Sequence, residues 1–206
     1  VDIRPLDAST WSRLETFFRT GGDPKWCWCQ WWRMRSRDFG AAKVPELRQR
    51  LRDQAEPASE PPDAGATAPP APGLVAIDDD RAIGWVSLGP RDTFERIERS
   101  RVIPRVDDRP AWSIVCFAVA PDRRGEGVAK RLLDAAVEYA AAHGARLLEA
   151  YPVDAAGRLP ASAEAAFTGT RALFEQAGFA VVAPTGSRSA GVPRVVMQRE
   201  LAGPRA

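Results

Sequence analysis

The sequence predicts an α/β protein, a core sheet flanked by helices, and three stretches carry that reading. Residues 111–144, AWSIVCFAVAPDRRGEGVAKRLLDAAVEYAAAHG, run from an apolar, partly β-branched strand through a basic, glycine-bearing turn into an amphipathic helix. Residues 74–88 hold two apolar runs joined by the acidic turn Asp78-Asp79-Asp80-Arg81, the pattern of a hairpin. Residues 179–201 hold two further strand-like runs.

Composition sets the bounds. A chain of 206 residues that is 45% apolar can bury one sizeable core, and residues 1–206 are read as a single domain. The formal charge of +2 supplies no global field for nucleic acid or an anionic membrane surface, so any positive site must be local. Neither class of partner is expected. Three cysteines do not make a disulfide framework, since Cys27 and Cys29 are too close to staple a useful loop and Cys116 falls in a core strand. With one histidine in the chain and no second cysteine pair, a zinc site would be under-ligated, and no metal is expected. No apolar run is long enough to span a bilayer and no signal peptide is read, so a cytoplasmic protein is expected.

In chain order, Val1 to Leu6 alternates as a first strand, and Ser9 or Thr10 caps a helix carrying Trp11, Leu14, Phe17 and Phe18. Gly21-Gly22-Asp23-Pro24 breaks it. Trp26 to Arg33 holds four of the seven tryptophans. That segment is either a hydrophobic piece packed under the sheet or a pocket wall, since tryptophan buries a large area and also grips flat or cationic groups. A second helix is predicted from Ala41 to Ala55, with Val44, Leu47 and Leu51 on one face. Residues 56–73, rich in Pro and Ala, cannot bury enough apolar surface to offset ordering entropy and read as a flexible loop inserted in the fold.

The hairpin follows, with Gly84 and Trp85 marking a bulge or a close approach, then a short polar helix from Thr93 to Ser100. The central strand is Ile114 to Val119, and its helix is predicted to start near Arg124 and stop at Gly144. Beyond it come a strand at Arg146 to Tyr151, a loop from Pro152 to about Ala166, a helix near Thr168 to Gln176, and strands at Phe179 to Ala183 and Val192 to Leu201. No internal repeat is visible.

The turn before the central helix is the first candidate site. The first helical turn leaves backbone N–H groups without internal partners, and the dipole adds partial positive charge there. Arg124, Gly125, Glu126, Gly127, Val128 and Ala129 therefore read as an anion cradle: the glycines let a phosphate approach the amides and Arg124 adds formal charge. No Gly-Lys-Ser/Thr follows and the third glycine of a dinucleotide fingerprint is missing. Taken alone, the turn also fits an ordinary strand–turn–helix.

Context decides between these. Arg124-x-x-Gly127-x-Ala129, placed after Phe117-Ala118-Val119-Ala120-Pro121 and before a Leu-Leu helix, resembles motif A of the GNAT superfamily of acyl-CoA-dependent N-acyltransferases. Leu173-Phe174-Glu175-Gln176-Ala177-Gly178-Phe179 resembles motif B of the same superfamily. The resemblance covers roughly Gly73 to Leu201. It implies a mixed, mostly antiparallel central sheet, splayed at the motif A strand and flanked by helices. It also implies acetyl-CoA as co-substrate, an acetyl or small acyl group moved to an amine by direct attack, and a monomer or homodimer whose partner is a small-molecule amine or a peptide.

By this resemblance the backbone of Phe117, Ala118 and Val119 pairs with the pantetheine arm, and an amide nearby stabilises the developing oxyanion. The tyrosine that many members use as acid falls at Phe174, which cannot donate a proton and is assigned to the cofactor site. The glutamate some relatives place near the start of the motif A strand falls at Ser113. The chain's two tyrosines are Tyr139, read as packing or rim, and Tyr151, at the sheet end where ligands of such folds gather. The standard acid and base are therefore not legible, and Tyr151 is the candidate for a catalytic or pocket role, against a reading as a buried or half-buried aromatic. Glu149 and Asp154 are the candidate bases, and strand alternation puts Glu149 on the face of Tyr151. For the acceptor, Trp28, Trp31, Trp32 and Arg33 are the candidates, and the arginines beside the tryptophans would suit an aromatic or carboxylate-bearing molecule. A non-catalytic acyl-CoA-binding sensor is the rival reading, since the usual tyrosine is absent.

Overall fold

The computed structural model describes residues 1–20, 24–56, 69–155 and 166–202. Most of the loop read at 56–73, part of that after Pro152, and the break at 21–23 lie outside the described residues. Seven strands form one sheet: β1 (Asp2–Pro5), β2 (Gly73–Asp78), β3 (Arg81–Pro90), β4 (Trp112–Val119), β5 (Leu147–Ala150), β6 (Ala180–Ser189) and β7 (Val192–Glu200). Their order across the sheet is β1-β2-β3-β4-β5-β7-β6. Neighbours are antiparallel except β4 and β5, which are parallel and are joined by a helical crossover.

The helices are α1 (Trp11–Arg19), α2 (Pro24–Cys27), α3 (Ser36–Ala41), α4 (Val44–Ala55), α5 (Glu95–Glu98), α6 (Val128–Ala142) and α7 (Arg171–Gln176). Two differences from the sequence reading are physical. The helix expected to run unbroken from Ala41 is two, α3 and α4, separated at the extended residue Ala42, and the Glu46 carboxylate then accepts from the Lys43 backbone N–H at 3.1 Å at the start of α4. At α1 the N-cap is Thr10, yet its hydroxyl donates to Pro5 O, and the Asp7 carboxylate takes the N–H groups of Ser9 and Thr10 instead. The end of the stretch read as a loop is buried: Ala71 donates to the Tyr139 hydroxyl at 2.8 Å, and the Pro72 carbonyl accepts from Leu88 N on β3.

Each face of the sheet has its own core. On one lie α6 and α7, with Leu132, Leu133 and Phe174 against Ile114, Leu148 and Met197. On the other lie α1 to α5, with Trp28, Trp32 and Phe18 against Trp85, Val115 and Tyr151. Opposite Gly84, α6 comes so close that an added Cβ would stand 2.9 Å from Val128 Cγ1. This is the close approach expected at that glycine. One residue, Val115, is extra in β4, because Ser87 pairs with Cys116 and Leu88 with Ile114. The bulge turns Val115 and Cys116 to the same core, and strand pairing with β5 stops at Ile114–Ala150. Past that rung the two parallel strands part.

Candidate active site

The parting of β4 from β5 makes a V-shaped opening. By strand alternation the N–H groups of Phe117 and Val119 point into it, whereas Ala120 N–H goes to Ile83 O on β3 and Ala118 points the same way. Of the three residues assigned to the thioester arm, Ala118 therefore spends its backbone on the sheet. The Phe117 N–H is also partnered, to Phe167 O at 2.6 Å. Residues 167–170 bridge the opening, since Val153, beyond the end of β5, donates to Gly169 O and accepts from Arg171 N. Gly169 sits there at a φ of +80°, under the ring of Phe174.

At one rim of the opening stands the start of α6. The helix begins at Val128, four residues after the predicted start, because Gly127 takes a left-handed φ of 78° and a 3-10 turn occupies Pro121–Arg123. Its first backbone bond runs from Arg131 N to Gly127 O, so the N–H groups of Val128, Ala129 and Lys130 have no helical partner. Gly125 has a φ of 83°, and a Cβ on either glycine would meet nothing within 4 Å. The glycines are thus required by backbone conformation, and the space above them is open. Around the turn Arg123 pairs with Asp78 and Glu126, and Arg81 with Asp122. Arg124 is exposed and its only bond among the described residues is a long one to Val119 O, 3.4 Å.

Below the closed end of the opening lies a buried polar network. Glu149 accepts from Arg91 Nε at 2.8 Å, from Tyr151 at 2.9 Å and from Gln198 at 2.9 Å. Ser113, the register partner of Glu149 across β4 and β5, is 3.1 Å from the Tyr151 hydroxyl. Arg91 goes on to Glu98, which also takes Arg105 near the surface. Tyr151 is fully buried, and burial together with the Glu149 carboxylate pushes its phenol above the usual value, so it stays protonated. Glu149, with three donors on its two oxygens, holds Tyr151 in place. Asp154 instead faces Arg171 at 3.1 Å on the far side of Val153.

The tryptophan segment divides. Trp28 is core, packed on Trp11 and Phe18. Trp31 is 41% exposed, set edge-on to Phe39 and under Arg96. Arg33 donates to Pro72 O, Leu88 O and Thr93 and lies over Phe94, a pin between the amino-terminal segment and the sheet. Trp32 alone of the four stacks on Tyr151, with centroids 6.4 Å apart. Phe174 is fully buried between Phe117 and Phe179, so it forms the floor under β4 and offers no polar atom to a ligand.

Sequence reasoning overlooked Arg194. It starts the inner face of β7, bridged to Val153, and its guanidinium lies 5.4 Å from the Trp32 ring and 5.1 Å from Phe167. No local pattern marks it, because its neighbours come from distant parts of the chain. A surface groove of about 470 Å³ between α1 and the β2–β3 turn, lined by Ser12, Thr16, Phe17 and Arg81 among others, includes none of the residues of the network or the tryptophan cluster. No group of three or more His, Cys, Asp or Glu able to hold a metal exists among the described residues.

Residues 28–179 match the family model described as the acetyltransferase (GNAT) family. A search of curated proteins gives no match. Solved structures give several. An acetyltransferase of the GNAT family from Streptococcus pneumoniae is 16% identical with a TM-score of 0.54, covering 98% of this chain and 99% of that one. The ribosomal-protein-alanine N-acetyltransferase from Brucella melitensis is 18% identical with a TM-score of 0.54, covering 98% and 100%. An agmatine N-acetyltransferase is 13% identical with a TM-score of 0.57, covering 97% and 99%. At these identities the likeness is one of fold.

Proposed function

Because the chain belongs to the acetyltransferase (GNAT) family, we propose that it moves an acetyl group from acetyl-CoA to the amine of a small molecule or peptide by direct attack. The observation that carries this reading is the pairing of an open, glycine-conformed helix start with a strand that parts from its parallel neighbour. The residues present fit the co-substrate. Unpartnered N–H groups of Val128, Ala129 and Lys130, the bare turn at Gly125 and Gly127, and the uncommitted charge of Arg124 would hold a diphosphate. The inward edge of β4 at Phe117 and Val119 would hold the arm, with the Phe117 N–H exchanging its Phe167 carbonyl. When bound, acetyl-CoA supplies an activated acyl thioester.

This chain's own part is proton handling and positioning. Tyr151 is the proton donor of the site, kept protonated by burial and by Glu149, and Ser113 bonds to its oxygen. Glu149 acts through Tyr151, its own oxygens being filled. Trp32 fixes the Tyr151 ring from the acceptor side. Calorimetry with CoA and thiol release from acetyl-CoA across an amine panel test the proposal. Absence of CoA binding would refute it.

A sensor that binds acyl-CoA without turnover is the second reading, favoured by one observation: the motif B position is Phe174, wholly inside the core. Tight CoA binding with thiol release never above background would select it.

A further inference from the structure

The geometry points to an acceptor that carries a carboxylate, received by Arg194 and Trp32, an inference that rests on the transferase reading. Arg194 is 6% exposed, and no Asp or Glu forms an ion pair with it among the described residues. Its Nη1 donates to Ser187 Oγ at 3.1 Å and to Arg188 O at 3.3 Å, which uses one corner of the guanidinium for the β6–β7 hairpin. The Nε is buried and unbonded. Burial without a compensating anion brings the group down to about 10.

One more orphan lies against it. Trp32 Nε1 is also buried without a hydrogen-bond partner, and the Trp32 ring lies against Arg194, Tyr151 and Phe167. A buried polar atom with no partner costs about 1–3 kcal/mol, so two on side chains in contact, one of them a cation with no anion beside it among the described residues, mark the place of an absent group. Indole and guanidinium nitrogens only donate. The missing group is therefore an acceptor of hydrogen bonds bearing negative charge. One guanidinium matches the single charge and two oxygens of a carboxylate, whereas a phosphate brings up to about two charges.

The position suits an acceptor as well. Trp32 stacks on Tyr151, and the carbonyl of Phe167 is bonded by the Phe117 N–H inside the strand opening. A carboxylate held here keeps the rest of a small amino acid beside the proton donor.

The test is calorimetric titration of the full chain, with and without CoA, using a panel of N-acetyl amino acids and the matching N-acetyl amino acid amides. The expected result is tighter binding of at least one acid than of its amide, by on the order of 10–100-fold, the range of a lost charge-assisted bond. Arg194→Gln should abolish that difference while leaving CoA binding unchanged. Trp32→Phe keeps a ring and removes one donor, and should narrow it several-fold. Should Arg194→Gln fail to fold, Trp32→Phe and Arg194→Lys carry the test, and an unaltered acid preference in both overturns the inference. Binding of no acid, equal binding of acids and amides, or a preference that survives Arg194→Gln also overturns it. Arg194-dependent acid binding in a chain that never takes CoA would refute the transferase reading and keep this site. CoA-dependent transfer that ignores the carboxylate would do the reverse.

Discussion

Ser113 of β4 and Glu149 of β5 face each other in register, and the Tyr151 hydroxyl joins them, 3.1 Å from one and 2.9 Å from the other. The resemblance leads one to look for a carboxylate on β4 itself, where Ser113 stands. In this chain the carboxylate is one strand over, on the same face, and Tyr151, two residues on and just past the end of β5, supplies the hydroxyl that joins the pair. The parallel register of two strands makes the exchange possible without moving the group away from the closed end of the opening.

Tyr151→Phe keeps the ring stacked on Trp32 and removes only the hydroxyl. Stability should fall by about 1.5–3 kcal/mol, the worth of a hydrogen bond to a charged group. Acetyl transfer should fall by about 10²–10⁴-fold if this is the proton donor. Steady-state kinetics beside a urea melt separates the two. A variant that loses stability but keeps kcat removes Tyr151 from the chemistry.

Glu149→Gln leaves the buried Arg91 with Glu98 as its sole carboxylate partner among the described residues. Breaking a buried pair from one side should destabilise by about 3 kcal/mol. Urea unfolding of the variant measures it, and an Arg91→Met, Glu149→Leu double variant should recover part of the loss.

Gly127→Ala should cost about 1–2 kcal/mol through the left-handed φ alone, since space exists for the Cβ. Gly127→Glu adds a negative charge to the proposed diphosphate cradle, and CoA binding should vanish. Calorimetry on both variants distinguishes strain from electrostatics: the alanine variant should bind CoA more weakly, and the glutamate variant not at all.

The clamp between α1 and α4 is acid-sensitive. A hydrogen bond from Arg48, with further help from Arg19 and Trp11, outweighs burial and holds the Glu15 carboxyl below its ordinary 4.5. A carboxylate depressed in the folded state stabilises above its unfolded value and loses that contribution as pH falls through its folded one. Thermal melts from pH 6 downward should therefore show a stability loss in acid that is smaller in Glu15→Gln. Parallel curves for the two proteins would contradict it.

How much of this was legible in the sequence depends on the reach of each interaction. The β4–turn–α6 unit was, because its signals are local: a continuous, partly β-branched apolar run, then a glycine-bearing turn, then a period of 3.6. The start of α6 lies four residues past the expected one because Gly125 and Gly127 both take left-handed φ values, a backbone choice that the letters of the turn permit but do not dictate. Trp28, Trp31 and Trp32 were indistinguishable as letters. Left-handed residues Trp28 and Cys29 then turned successive rings in different directions, one to the core, one to solvent and one to Tyr151.

From the chain alone came the class of the fold, the two motifs of an acyl-CoA transferase, and the glycines that a helix start of this kind demands, all set by forces acting over a few residues. Only the tertiary structure decided that Glu149 positions Tyr151, that Phe167 partners the amide of Phe117, and that Arg194 lies against Trp32 with no carboxylate partner among the described residues. Those outcomes follow from a one-residue bulge at Val115 and from strand register between β5 and β7. A slip of one residue turns every side chain of a strand to the opposite face, and no local pattern records it.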